Sequence, residues 1–361
     1  MLKQQKIFFD FLRFSIGSES EIPSSLKEAD WKELYAIAKK QCLVGVLFDG
    51  IKKLPAEQVG MKMGLLFQWI AKNRMLEKAN VRLNDAAIQI SEWFRKKGFR
   101  TCILKGQGNA LMYPNPYSRT PGDIDIWVEG GDKRVISFVR SISPHEKACY
   151  HHIEFPSYKG VEVEVHYRPS FLLCFWHNRK LQNFYERMKE EQFSHRVMLG
   201  KQGEIAIPTA EFNLIFQLTH IYAHLMNEGI GLRQLVDYYY VLISDDLLLI
   251  RDRVQKELKE LGLWKFAGAI MYIMQEVFGM PASRLIVPPN EKCGKFVLNE
   301  VLEAGNFGKH DERNRFGRSQ LGHNLQRVYR DMRLVRYFPA EALCEPVFRL
   351  WHFFWRVKNK K

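Results

Sequence analysis

No run of apolar residues in this chain approaches the roughly 18 that a membrane span requires, so no transmembrane segment is expected. The first residues, Met-Leu-Lys-Gln-Gln-Lys, lead straight into a short amphipathic run without a small-residue cleavage pattern, which argues against a signal peptide. Cysteine is sparse: six residues in 361 (Cys42, Cys102, Cys149, Cys174, Cys293, Cys344), mostly within apolar stretches and with no Cys-x-x-Cys pair. Disulfide frameworks belong to short secreted chains, so reduced, buried thiols of a cytoplasmic protein are expected, and no zinc site is indicated. Repeats and low-complexity tracts are missing as well. With 46% hydrophobic and 26% charged residues, the composition excludes a disordered or collagen-like chain.

Positive charge is what the chain has in excess. Its 54 Lys and Arg against 40 Asp and Glu leave a net charge of +14. Such a surface suits a polyanion such as RNA, a phosphate-rich substrate or an anionic membrane face. No long Lys/Arg block accompanies it. The clearest cluster is Arg356-Val-Lys-Asn-Lys-Lys361, after the aromatic run Val347-Phe-Arg-Leu-Trp-His-Phe-Phe-Trp355. That segment suits either an anionic membrane surface or, the favoured reading, packing of its aromatics onto preceding helices.

The length suits two domains or one core with helical extensions. Residues 1–98 read as helical. Trp31, Leu34, Tyr35 and Ala38 recur at helical spacing, Ser25 and Glu28 form a loose capping box, and a long pattern from Met61 to Lys97 stops at Gly98. From 99 to 208 a compact mixed α/β unit is expected. It has strands at 100–104 and 124–128, a helix over 132–142, and strands at 148–155 and 161–167 separated by Pro156 and Gly160. From 209 to 361 helices return, the first capped by Thr209 and broken at Gly229 and Gly231. Further helices fit 247–262, 264–278, 291–304, 319–336 and 340–357, with 305–322 as a mobile loop. The fold class expected is α+β, a small mixed sheet flanked by N-terminal and C-terminal helical regions.

The chemistry-bearing residues lie in Leu104-Lys-Gly-Gln-Gly-Asn-Ala-Leu-Met-Tyr113, Arg119-Thr-Pro-Gly-Asp-Ile-Asp-Ile-Trp127 and Val161-Glu-Val-Glu-Val-His-Tyr167. Strand side chains repeat every two residues, so Asp123 and Asp125 share a face, with Ile124 and Ile126 on the other. Two carboxylates on one face, joined by a third from a neighbouring strand, are the hard oxygen donors that Mg²⁺ (or Mn²⁺) takes during phosphoryl transfer. Gly106 lets the backbone approach phosphate, and Lys105 and Arg119 add donors. His220 and His224, four apart on one helix, lack the Glu of an H-E-x-x-H site and read as packing or substrate contacts. Arg233 and Asp237 have the spacing of a helical ion pair worth a few tenths of a kcal/mol.

Lys105-Gly106, a short helix ending at Tyr113-Pro, then Arg119 and Asp-Ile-Asp-Ile resemble the nucleotidyltransferase superfamily with the polymerase-β-like fold. More closely, the layout resembles the bacterial nucleotidyltransferase family of the NTP-transferase-5 type. The likeness runs from about 30 to 340 and includes a Gly45-Val-Leu47 stretch, Leu-Lys-Gly, Arg before Asp-x-Asp, and a later Val-Glu-x-His strand. Lys105-Gly106 replaces the Gly-Ser of the wider superfamily, as in toxin-type nucleotidyltransferases of abortive-infection systems, which the segment also resembles.

The resemblance implies that Asp123 and Asp125 are metal ligands. It makes Glu164 the third carboxylate and the base toward the acceptor hydroxyl, with Glu162 a rival of equal strand parity. It further implies that Lys105, Gly106, Arg119, His166 and Arg233 face the NTP, and that Gly305-Asn-Phe-Gly308 covers the site. The expected activity is NMP transfer from an NTP to a hydroxyl or phosphate of a small-molecule acceptor. An RNA-directed (tRNA) enzyme, or a non-catalytic nucleotide-binding protein, are the alternatives.

Overall fold

The computed structural model describes residues 3–55, 57, 60–201, 203–308, 311, 313 and 320–359. Three short N-terminal helices, α1 (Lys3–Ile16), α2 (Trp31–Lys40) and α3 (Val44–Lys53), precede the 34-residue α4 (Met63–Lys96). Helix α2 buries the expected Trp31, Leu34, Tyr35 and Ala38. Its cap is not the Ser25/Glu28 box, which falls in a single 3-10 turn: Asp30 accepts from the backbone N–H groups of Lys32 and Glu33 at 2.9 and 3.2 Å. Helix α4 stops before Gly98, whose φ of +79° only glycine adopts readily.

Four strands, β1 (Thr101–Ile103), β2 (Ile124–Val128), β3 (His152–Tyr158) and β4 (Val161–His166), form one sheet in the order β1-β2-β4-β3. The β2–β4 pair is parallel and the outer two pairs are antiparallel, so the sheet is mixed. Between β1 and β2 lies the one-turn helix α5 (Gln107–Ala110), and α6 (Gly131–Ile142) follows β2. Pro156 does not end a strand as expected but sits within β3, where the register shifts between Phe155 and Tyr158. This is tolerated because β3 is the sheet's edge, where a missing N–H costs no ladder bond.

Two elements have no counterpart in the sequence reading: α7 (Phe175–Ser194) and the hairpin β5 (Arg196–Leu199)–β6 (Gly203–Ala206). The C-terminal helices are α8 (Ala210–Asn227), α9 (Leu232–Leu242), α10 (Leu247–Glu260), α11 (Trp264–Glu276), α12 (Glu291–Ala304), α13 (Gln320–Leu334) and α14 (Pro339–Lys358). Thr209 precedes α8 without capping it; its hydroxyl and N–H both bond the Gln192 side chain.

The sheet's two faces have different partners. Ile124, Ile126, Val128, Val163 and Val165 pack on one face with Leu83, Ile90 and Phe94 of α4 and Val135 and Val139 of α6. The other face turns Trp127 and Cys102 toward a larger core that takes in Phe8, Trp69, Phe212 and Phe266. Helix α4 spans both cores, Trp69 and Leu76 in one and Leu83 to Phe94 in the other. The chain thus has the expected α+β architecture, a small mixed sheet between helical regions.

The expected mobile loop 305–322 lies largely outside the described residues. Within it, Asn306–Gly308 forms a 3-10 turn against the α8–α9 connection: a Cβ on Gly308 would meet the Glu228 carbonyl oxygen at 2.1 Å. The aromatics of α14 divide: Trp351 meets the rings of Tyr150 and Phe175, and Trp355 packs against the core beneath the sheet. Phe348 is buried, whereas Leu350, Phe353, Phe354 and Val357 are exposed, because only one stripe of the helix faces the body. No helix among the described residues is long and apolar enough to cross a membrane.

Candidate active site

The parallel register sets Asp125 beside Glu164, and Trp127 beside His166. Partners in register share a face, so Asp125, Glu164 and His166 stand together, with Asp123 one strand period earlier. One carboxylate oxygen from each of Asp123, Asp125 and Glu164 lies within 4.8 Å of the others, close enough for one ion to bridge. Glu162 has the same parity but is exposed and outside the cluster, so geometry favours Glu164.

Two positive groups lie against Asp125. Lys105 Nζ is 2.8 Å from Oδ1, and His166 Nε2 is 3.0 Å from the same oxygen. The Lys105 ammonium also reaches His220 Nε2 at 3.2 Å. An ammonium has no lone pair, so Nε2 of His220 must be the acceptor and that ring is neutral. Its pKa agrees, pushed well down by burial and then by Lys105. Lys105 is held in place by the turn at Gly106 (φ +56°), where a Cβ would lie 3.7 Å from the Asp123 carbonyl oxygen.

These charges divide the carboxylates. Burial acts to raise the pKa of Asp125, but Lys105 and His166 outweigh it and hold the group below the usual carboxylate range. Asp123 is pushed up to about 6, chiefly by the charge of Asp125 and then by burial. Glu164 is lowered: burial is the largest single influence and raises it, but the hydrogen bond from His166 and the charges of His152 and His166 together outweigh it. His166 is raised to about 9, with Asp125 and Glu164 overcoming burial. His152 is lowered to about 4 by burial and by His166. Crowded, partly desolvated carboxylates that raise one another's pKa form a donor set suited to a hard divalent cation.

The segment before Asp123 is fastened from three sides. Arg119, 5% exposed, makes a two-pronged pair with Asp237 of α9, Nε to Oδ1 and Nη2 to Oδ2 both at 2.8 Å. Tyr113 Oη donates to the same Oδ1 at 2.6 Å. Thr120 Oγ1 donates to the Cys42 carbonyl at 2.7 Å, and Asn80 of α4 donates to the Arg119 carbonyl at 2.9 Å. Both oxygens of Asp237 are thus engaged by a long-range partner, while the charge of Arg233 still acts on Asp237 and helps to lower its pKa. Arg233 Nη1 donates to the Thr120 carbonyl at 3.2 Å and lies 3.8 Å from where a Cβ on Gly122 would be.

A cavity of about 370 Å³ opens over the carboxylates. Lys105, Gly106, Arg119, Asp123, Asp125, Glu164, His166 and Arg233 all line it, so the fold brings together the residues expected to face metal and NTP, whereas Gly305, Asn306 and Gly308, expected to cover the site, are not in its lining. His220 and His224 of α8, read from the sequence as packing or substrate contacts, line it too, and it adds residues that the motifs did not mark: His151 and Tyr150 before β3, Gln217 of α8, and Arg327, Arg349 and His352 of the last two helices. His220 carried a sequence signal, lying on a helix stripe with His224. The α13 and α14 residues carried none, since nothing in their spacing reports that these helices roof the sheet.

The sequence matches the model of a family of uncharacterised nucleotidyltransferases over residues 27–279, more than half of the chain, and the chain belongs to that family. No curated protein matches it significantly. Among solved structures, an antigenic nucleotidyltransferase-like protein from Paracoccidioides brasiliensis is similar at 15% identity and a TM-score of 0.28, with 50% of this chain and 92% of that chain covered.

Proposed function

We propose that the chain transfers NMP from an NTP to a hydroxyl or phosphate of a small-molecule acceptor, with Mg²⁺ (or Mn²⁺) held by Asp123, Asp125 and Glu164. One observation carries this reading: three carboxylates of a nucleotidyltransferase-family chain converge on the floor of a cleft roofed by helices. A bound divalent cation would supply charge to the phosphates and to the departing pyrophosphate. Asp125 stays anionic and offers a constant ligand. Glu164, at the acceptor side, accepts the proton of the attacking hydroxyl. Lys105, freed from Asp125 when another cation takes its place, turns its ammonium to phosphate oxygens. Helix α5, one turn long, carries no useful dipole, so any backbone help at Gly106 comes from individual N–H groups. Arg119 contributes mainly by pinning the segment that carries Asp123, and Arg233 lies beside the Gly122 turn.

The cleft volume, about 370 Å³, falls within the range of small-ligand pockets, and Arg327 in its lining suits an anionic acceptor, whereas Arg349, also in the lining, is paired with Glu345 at 3.0 Å. The net charge of +14 supports the second reading, transfer to RNA. NTPs radiolabelled at the α-phosphate, offered with a metabolite extract or with tRNA, separate the two. Label on a small acceptor, lost in Asp123→Ala, is the expected result, and label on tRNA selects the second reading. If neither takes label and Asp123→Ala leaves Mg–nucleotide binding unchanged, the enzyme reading fails.

A further inference from the structure

We propose that His152, Glu164 and His166 form a second cation position that takes a divalent transition ion of the manganese-to-zinc series in preference to Mg²⁺. The sheet builds it. His152 and His166 are cross-strand partners in the antiparallel β3–β4 pair, and Glu164 lies one strand period before His166, so the three share one face. Glu164 Oε2 is 3.4 Å from His152 Nδ1 and 3.4 Å from His166 Nε2. Donors about 2.1 Å from one ion at tetrahedral angles stand about 3.4 Å apart. One ligand atom from each of the three lies within 4.8 Å of the others.

The far nitrogen of His166 orients the near one. Nδ1 is 3.4 Å from the Arg168 carbonyl oxygen, which can only accept, so Nδ1 carries a proton and Nε2 is the atom aimed at the carboxylates. A histidine held by a backbone carbonyl on one nitrogen, with the other facing anions, has the arrangement of a metal ligand once an incoming ion displaces the Nε2 proton that it otherwise shares with Asp125. Softer donors adjoin the same nitrogen. His152 Nδ1 is also 3.0 Å from His151 Nε2, a contact that an ion bound at Nδ1 would replace, and Cys149 Sγ is 3.5 Å from His151 Nδ1. The cleft floor thus runs from two aspartates, through the shared Glu164, to imidazoles and a thiol. Mg²⁺ favours oxygen donors and retained waters, whereas imidazole favours the transition ions. The inference rests on the proposed function only for its use: an ion here would share Glu164 with the ion at Asp123 and Asp125.

The test is pulsed EPR of the metal-free full-length protein titrated with Mn²⁺ alone, without nucleotide. Imidazole-nitrogen modulation on the bound Mn²⁺ is expected in the wild type and lost in His152→Gln/His166→Gln. If the double variant does not fold by circular dichroism, His152→Gln is read alone, and part of the nitrogen modulation must disappear. Bound Mn²⁺ without nitrogen modulation, or modulation unchanged in the variant read, overturns the proposal. Nucleotidyl transfer is scored separately: label transfer without nitrogen ligation sinks only this inference, and nitrogen ligation without transfer sinks only the proposed activity.

Discussion

Asp237→Ala removes the anion that holds the segment ahead of Asp123. Asp237 and Arg119 are each 5% exposed, and both carboxylate oxygens are engaged. An exposed ion pair would be worth about 0–1 kcal/mol. Here the variant leaves a guanidinium buried without its partner, which costs about 3–5 kcal/mol, and the Tyr113 hydroxyl also loses its acceptor. Against a total stability of about 5–15 kcal/mol, that is a large fraction. Urea unfolding at pH 7, followed by circular dichroism, should show the transition midpoint falling accordingly. The double variant Arg119→Met/Asp237→Leu should cost less than Asp237→Ala, because it buries no lone charge. The pKa of Asp237 is lowered, since Arg119 outweighs the raising effect of burial. A depressed carboxylate contributes stability above its unfolded value, about 3.9, and loses it as pH falls through the lower folded value. The gap between wild type and Asp237→Ala should therefore hold from pH 7 to about 5 and close below about 4. A cost under about 1 kcal/mol, or single-variant costs that simply add in the double, would refute the argument.

Asp125→Asn should lower label transfer by on the order of 10²–10³, the usual effect of deleting one electrostatic partner, while the thermal melt stays cooperative. Gly45→Ala should destabilise by about 1–3 kcal/mol and slow transfer, because the new Cβ would lie 2.1 Å from the Ser118 carbonyl oxygen. A melt matching wild type would show that this close approach is not needed. His352 Nε2 accepts from the Tyr150 N–H at 3.1 Å, and burial lowers its pKa from 6.5 to about 4. Its contribution is complete above 6.5 and lost as pH falls toward 4, so hydrogen exchange in α14 should quicken over that window. His352→Gln, which keeps an acceptor but does not titrate, should flatten that response.

Much of the architecture was legible because it repeats along the chain. The stripe Phe212, Leu214, Ile215, Leu218 and Ile221 identifies α8, and the alternation Ile124-Asp-Ile identifies β2 with both aspartates on one side. Helix α7 escaped notice because its few buried apolar residues, Leu181, Phe184, Tyr185 and Phe193, are diluted among charges. The β5–β6 hairpin escaped because two four-residue strands hold too few alternations to register. Capping misled for a related reason: Ser25 and Thr209 have the right chemistry, but tertiary partners, Asp10 and Gln192, take their hydroxyls.

The sequence by itself determined the local periods, and through them the face on which Asp123, Asp125, Glu164 and His166 must stand, because a strand's side-chain alternation needs no knowledge of its neighbours. Only the tertiary structure decided what meets that face. The register made Glu164 rather than Glu162 the partner of Asp125, and α9 brought Asp237 to Arg119 across 118 residues. The roof of α13 and α14 supplied Arg327, Arg349 and His352 to the cleft. Contacts of that kind depend on how whole elements pack, and no spacing along the chain encodes them.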